Sequence, residues 1–411
     1  MSKENINNII IKSNRNLTTA LLRMVELGKT KKLKFKLPND IYRGSYDKKM
    51  YPFFHFFISQ LALRILSNLN LRCPFSKNNI HFTKSIGYIN TYNTQSLSGI
   101  YSIKGTDIPT NMNLACIIST VPVLRKNNYN TYSYSIIKKL SEHVNVIIKK
   151  TNVPNLCNSF GTIVCKSKRQ RMFSQNKRFT TQIRQWKHKE KNGKLSPYLC
   201  YTITEVPELT LYKYLQTNTF DKDEWKSILF QISYTMYILK NEIPKFVHHN
   251  LTPKNIFIQK VPLGGQFIYS IGKINYYVPN YGYIIKILPD SLSYAKGVYD
   301  NVSIFDEELK SKLGLNDENK QFYDLHSFFN ALYFTKNVPD YIKKIVKQLL
   351  PRKYISDQNT LNVINKRLRS PRLDYSTKGV KTFKDVIMKT KLFEDMKTIN
   401  KSTIIFYPKI V

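Results

Sequence analysis

One short polar segment inside an apolar stretch constrains this chain more than any other feature. It reads Phe246-Val-His-His-Asn-Leu-Thr-Pro-Lys-Asn-Ile-Phe-Ile258, with His248, His249, Asn250 and Asn255 between apolar flanks. Polar side chains that enter a core need hydrogen-bond partners there. The segment therefore predicts a loop that packs in a fixed conformation, and we expect His248 and His249 to be structural residues of that loop.

The spacing within this segment resembles the catalytic loop of protein kinases, H-R-D-L-x-x-x-N. His248 and His249 stand at the first two positions, Asn250 at the catalytic aspartate and Asn255 at the last asparagine. The chain is thus similar to the protein-kinase superfamily, in particular to divergent Ser/Thr kinases of large nucleocytoplasmic DNA viruses. The resemblance implies an α+β, two-lobed kinase-like fold, with a small β-rich N-lobe and a larger helical C-lobe.

The flanking segments agree with the resemblance. The apolar strand that ends at Glu205 looks like the strand entering the kinase hinge, which makes Glu205 a candidate nucleotide-binding residue. The segment Leu209 to Leu215 looks like the short helix after the hinge, and Asp223 to Lys240 like the long helix before the catalytic loop. Asp324, in Tyr-Asp-Leu-His-Ser-Phe, would be the buried carboxylate that braces the loop.

Two departures from the family pattern remove groups that phosphoryl transfer needs. Asn250 is neutral and cannot accept a proton from a substrate hydroxyl as the family's aspartate does. The metal-binding aspartate should follow the strand Tyr283 to Ile287, but Leu288 stands there and offers no oxygen ligand. Asp290, two residues later, could serve only if the loop shifts. The resemblance therefore implies a kinase-like chain degraded at its catalytic positions.

The N-terminal part departs in the same way. Only Gly99 remains of a glycine-rich phosphate loop, and the next strand, Leu114 to Thr120, has no lysine to pair with phosphates. Glu142, on a helix predicted over 133–150 from its apolar spacing, is either the former ion-pair partner of that lysine or a solvated glutamate. A rival register takes Val146 to Lys149 as the V-A-I-K strand, although the apolar spacing there is helical.

A formal net charge of +38, from 65 Lys and Arg against 27 Asp and Glu, favours an acidic partner, either nucleic acid or an acidic protein surface. Base composition of the genome is the alternative cause. Residues 166–194 form a basic block that is predicted to be an insertion. Its candidate nucleic-acid or anion contacts are Lys168, Arg169, Arg171, Lys177 and Arg178, and Phe173, Phe179 and Trp186 are interleaved as possible stacking rings. A solvated insertion is the alternative.

The domain organisation follows from these patterns. We expect a basic N-terminal extension with a helix over 1–85, an N-lobe over 86–205, and a C-lobe with a basic tail over 206–411. The five cysteines form no C-x-x-C pair, so neither a metal site nor a disulfide framework is expected. The sequence shows no signal peptide and no apolar run long enough to span a membrane. An intracellular protein is predicted, in the host cytoplasm or the virion.

Three functions fit these observations. The first is a pseudokinase that acts as a binding or scaffold component of a large DNA virus, in the virion near nucleic acid. The second is an active divergent Ser/Thr kinase of viral or host proteins. The third is a basic nucleic-acid-binding structural protein built on a kinase framework. No cofactor is expected for the first and third, and ATP with Mg²⁺ only for the second.

Overall fold

The protein is represented by a computed structural model. It describes residues 80–87, 99–105, 114–122, 133–151, 153–157, 159–166, 177–193, 195–205, 207, 209–261, 263–288, 292–299, 323–350, 352–355 and 382–398. The predicted basic N-terminal extension with its helix lies outside these ranges up to residue 79.

The described part begins with a five-stranded antiparallel sheet, which we call the sheet region (residues 80–205). Its strands are β1 (Ile80–Gly87), β2 (Gly99–Gly105), β3 (Leu114–Pro122), β4 (Ser159–Lys166) and β5 (Leu195–Glu205), in the order β1-β2-β3-β5-β4. The strands were expected from residue 86. They begin earlier because β1 pairs with β2 along its length, from Ile80 opposite Gly105 to Gly87 opposite Ile100.

Helix α1 (Ser133–Thr151) connects β3 to β4 and confirms the helix predicted over 133–150. Six of its apolar residues recur at helical spacing and are buried: Ile136, Ile137, Leu140, Val144, Ile147 and Ile148. Val146 lies on the opposite face and is 61% exposed. The rival strand register for Val146 to Lys149 is therefore wrong, because these residues continue the helix.

Helix α2 (Lys177–Lys191) occupies the second half of the basic block, between β4 and β5. Its Trp186 is 3% exposed, and the helix packs against β5. The expectation that Trp186 is available for stacking on bases is therefore wrong. Arg184, Lys187 and Lys189, in contrast, are exposed.

The remaining residues form a mainly helical region (residues 209–398). Its elements are β6 (Leu209–Thr210), α3 (Leu211–Thr217), α4 (Lys222–Glu242), β7 (Phe246–Val247), β8 (Ile256–Lys260), β9 (Gln266–Ile271), β10 (Ile274–Pro279), β11 (Tyr283–Ile287), β12 (Tyr294–Ala295), α5 (Tyr323–Tyr333), α6 (Asp340–Leu349) and α7 (Phe383–Lys389), with 3₁₀ turns at Arg352–Tyr354 and Lys391–Lys397. The helix predicted from Leu209 begins at Leu211, because Leu209 and Thr210 pair with β8 instead.

Helix α4 is the central element of the helical region. It begins with a capping box in which the Asp221 side chain accepts from the backbone of Glu224, and the Glu224 side chain accepts from the backbone of Asp221. Large side chains such as Trp225, Phe230 and Tyr234 are fully buried along it. The short strands β8 and β11 pair beside this helix, and the loop between β7 and β8 is thereby held against the core.

A buried hydrogen-bond network around Asn155 joins the sheet region to the helical region. The Asn155 side-chain amide donates to Gln231 Oε1 and to the Ile285 carbonyl, both at 2.9 Å, and its oxygen accepts from the Tyr269 hydroxyl at 3.0 Å. The Asn155 carbonyl accepts from the Ile287 N–H at 2.7 Å. Because every polar atom of Asn155 named here is satisfied inside the core, the network fixes one relative position of α1, α4 and β11.

The architecture is thus α+β. Within the ranges that the structure covers, no helix combines the length and the apolar character needed to cross a bilayer.

Candidate functional site

The loop between β7 and β8 is held by a single buried carboxylate. Asp324, at the start of α5, is 0% exposed and accepts from the backbone N–H groups of His248 and His249, each at 3.0 Å. The ammonium of Lys240 on α4 lies 3.5 Å from the same carboxylate. The structure therefore places Asp324 where the sequence predicted a bracing carboxylate.

The two histidines extend this bracing to the end of β11. His248 Nδ1 accepts from the Asn250 N–H at 3.3 Å, so its Nε2 carries the proton that is donated to the Leu288 carbonyl at 3.1 Å. His249 donates from Nδ1 to the Leu292 carbonyl at 2.9 Å. Burial lowers the pKa of His249 to about 4, although the nearby Asp324 carboxylate acts in the opposite direction. Both histidines are structural members of the loop.

The two asparagines of the motif are brought together by the loop. The Asn255 side-chain amide donates to the Asn250 carbonyl at 2.9 Å, and both residues are buried. A side-chain amide has no basic site comparable to a carboxylate, so Asn250 can orient a hydroxyl but cannot take its proton.

The residue that follows β11 packs among apolar side chains. Leu288 is 5% exposed and belongs to a cluster that we call the Leu288 cluster: Ile100, Ala115, Ile117, Ile137, Cys157, Phe257 and Leu288. These side chains come from β2, β3, α1 and the segment between α1 and β4 on one side, and from β8 and the end of β11 on the other. The Leu288 cluster therefore fills the space between the sheet region and the loop with hydrocarbon.

An ion pair that the sequence patterns did not reveal lies next to this cluster. Lys286 on β11 is 3% exposed, and its ammonium is 3.1 Å from Glu205 at the end of β5 and 3.4 Å from the Leu156 carbonyl. The Glu205 carboxylate, predicted to contact nucleotide, instead contacts this lysine. The one sequence signal for this ion pair was the charged Lys286 in the otherwise apolar strand Tyr283–Ile287.

The other predicted site residues are not brought to this place by any contact in the described ranges. Gly99 begins β2 opposite Ile118, and Glu142 is exposed on α1. Lys177 and Arg178 are the first residues of α2. Asp290, Lys168, Arg169 and Arg171 lie outside the described residues. Among residues that the structure describes, no group of three or more His, Cys, Asp or Glu side chains could hold a metal ion.

Comparison with known proteins yields one informative match. The chain is 24% identical over 199 residues to a protein of Acanthamoeba polyphaga mimivirus named "Putative serine/threonine-protein kinase". The match covers 45% of this chain and 41% of that protein, so the chain spans less than half of the relative's length. No family model matches the chain. The match supports a kinase-like relationship with a viral protein.

We predict that Asp324→Ala weakens the fold through the loop. The change leaves the N–H groups of His248 and His249 without their acceptor, which should lower the free energy of unfolding by about 1–3 kcal/mol. Urea unfolding of the wild type and the variant measures this change in the free energy of unfolding. The control is Asp340→Ala, which removes a carboxylate that is 90% exposed and should change stability by less than about 0.5 kcal/mol. Equal unfolding midpoints for wild type and Asp324→Ala would show that the loop is braced differently.

We predict that Lys286→Met destabilises the protein by about 3–5 kcal/mol, because Glu205 would remain buried without its counter-charge. The double variant Glu205→Gln/Lys286→Met removes both charges and should recover most of that loss. Lys226→Met is the control, since its pairs with Asp223 and Asp395 involve carboxylates that are 64% and 59% exposed. A double variant as unstable as Lys286→Met would mean that packing of the lysine, not the pair, is what matters.

Proposed function

We propose that this chain is a two-lobed, kinase-like protein that has lost phosphoryl transfer and acts as a binding or scaffold component of a large DNA virus. In this proposal the sheet region, with α1 between β3 and β4, is the N-lobe, and the helical region is the C-lobe. The N-lobe then starts at β1, so the basic extension ends before Ile80, and the basic insertion lies between β4 and β5.

The observation that carries the proposal is the apolar environment of Leu288. In protein kinases, which this chain resembles, the position of Leu288 is occupied by the aspartate that binds Mg²⁺. This cation requires hard oxygen ligands. Here the side chain is buried with Ile117, which comes from the strand where the phosphate-pairing lysine was expected. Asn255 offers a single amide oxygen, and Glu205 is paired with Lys286. The described residues thus do not fit a Mg²⁺–nucleotide group.

A scaffold role is supported by how the two regions are joined. The Asn155 network and the Lys286–Glu205 pair are both buried, and each connects the sheet region to β11. A catalytic kinase needs a cleft that can open and close around nucleotide. A binding surface needs only a fixed shape, which these contacts supply. We place the protein in the host cytoplasm or the virion, near an acidic partner.

The main alternative is an active divergent Ser/Thr kinase. The name of the mimivirus relative favours it, and Asp290 is the carboxylate that would have to replace Leu288 as metal ligand. This alternative requires bound ATP and Mg²⁺, whereas the pseudokinase proposal requires no cofactor.

We expect no transfer of phosphate from ATP to protein. The full chain should be incubated with radiolabelled ATP, Mg²⁺ or Mn²⁺, and both basic and acidic protein substrates, with an active kinase as positive control. Label should stay at background, because Asn250 cannot act as base and Leu288 cannot bind metal. The result that would overturn the proposal is incorporation that Asp290→Ala abolishes and that the surface control Asp340→Ala leaves intact.

A second candidate function, sequence-independent binding of nucleic acid, is favoured by the geometry of α2. The helix packs against β5 and buries Trp186, while its Arg184, Lys187 and Lys189 remain exposed. Cations held on a rigid helix can contact phosphates without reading bases.

If the basic block 166–194 binds nucleic acid, its positive charges should determine how steeply the affinity falls with salt concentration. Replacing Lys168, Arg169, Arg171 and Arg178 with Ser should reduce the slope of log affinity against log salt by up to about four, because each neutralised phosphate contributes about 0.9. The matched control replaces four basic tail residues, Lys366, Arg367, Arg369 and Arg372. Equal effects of both variants would show that only net charge matters, and no effect of either would remove this candidate function.

A further inference from the structure

A cavity of about 280 Å³ lies behind the loop, on the side of α4 that faces α7. Its lining residues come from the end of α4, from β7 and from the start of α7. They are Tyr237, Lys240, Asn241, Lys245, Phe246, Val247, Thr382, Phe383 and Lys384. We call it the lysine cavity, because three of these residues carry ammonium groups.

The lysine cavity concentrates positive charge. None of the described residues that line it is acidic. Lys240 is the deepest of the three, with a side chain that is 17% exposed and lies 3.5 Å from Asp324. Lys245 and Lys384 are exposed at the rim, and the Lys384 ammonium lies 5.7 Å from the centre of the Tyr237 ring.

Two carboxylates next to the cavity lysines along the chain pair with lysines outside the cavity, whereas Asp324 pairs with Lys240 itself. Glu242, two residues after Lys240, pairs with Lys150 at 2.7 Å. Asp385, next to Lys384, pairs with Lys389 at 2.8 Å and accepts from Thr382. Asp324 is shared with two backbone N–H groups. Because the Lys240 ammonium already has Asp324 as its counter-charge, the exposed ammonium groups of Lys245 and Lys384 carry the positive charge that an entering anion would neutralise.

We propose that the lysine cavity binds a phosphate monoester. A phosphate ester carries a charge of about −1.5 to −2 at neutral pH and presents three acceptor oxygens, which matches several lysines better than a single carboxylate does. The half-buried ring of Tyr237 in the lining suits the organic part of the ester. The phosphate belongs either to a small free ester or to a phosphorylated side chain. This site is separate from the Leu288 cluster and does not depend on the proposed loss of phosphoryl transfer.

Calorimetric titration of the full chain with phenyl phosphate tests the proposal, with phenol as the uncharged control. We expect one site per chain. Lys245→Gln/Lys384→Gln should weaken binding at least about tenfold, because it removes two charged donors. The matched control is Lys260→Gln/Lys273→Gln, which removes the same charge from exposed positions outside the cavity and should leave affinity within about twofold. Both pairs are exposed, so the fold should persist in each variant, and urea unfolding checks this.

A second series of titrations identifies the source of the phosphate. Inorganic phosphate, phenyl phosphate and a phosphoserine peptide are compared, each against wild type and the Lys245→Gln/Lys384→Gln variant. Tighter binding of the peptide identifies a phosphorylated side chain, and tighter binding of phenyl phosphate identifies a free ester. Equal weakening in both lysine pairs, equal affinity of wild type and the cavity variant, or binding without a single saturable site would each overturn the proposal.

Discussion

The buried carboxylate of Asp324 is the interaction on which the central loop depends. A carboxylate taken out of water is stable only when donors surround it, and here two backbone N–H groups and the Lys240 ammonium do so. The same contacts hold His249 at a backbone φ of 61°, a conformation that is uncommon for a residue with a side chain. The neighbouring His248 donates from Nε2 to the Leu288 carbonyl at the end of β11. One side chain thereby fixes where the loop and β11 stand relative to each other.

Buried polar contacts of the same kind join the two regions of the protein. Asn155 and the Lys286–Glu205 pair each place polar atoms inside an apolar interface, where an alternative arrangement would leave those atoms unsatisfied. Such contacts add little net stability compared with apolar packing, but they select one arrangement over others. We attribute the fixed relation between the sheet region and β11 to this selection.

The loop keeps its buried brace although an amide stands at position 250 and a leucine at position 288. His248, Asn255 and Asp324 are held by backbone contacts that do not depend on what stands at position 250 or 288. An amide at the first position and a leucine at the second can therefore be accommodated without disturbing the brace. The contacts that hold the loop therefore do not require a carboxylate at position 250 or at position 288.

The sequence alone determined the elements with strong local signals. The helix α1 was predicted from its apolar spacing, and the strands β3 and β5 were predicted from their apolar runs, both of which are local properties of the chain. The pairing of Asp324 with the loop could be anticipated only through the family resemblance, because 75 and 76 residues separate the partners. Tertiary structure alone decided that Trp186 is buried, that Lys286 meets Glu205, and that Leu288 joins side chains from β2, β3 and α1. Each of these depends on which surfaces meet when the sheet packs on the helices, and no local pattern encodes such a long-range contact.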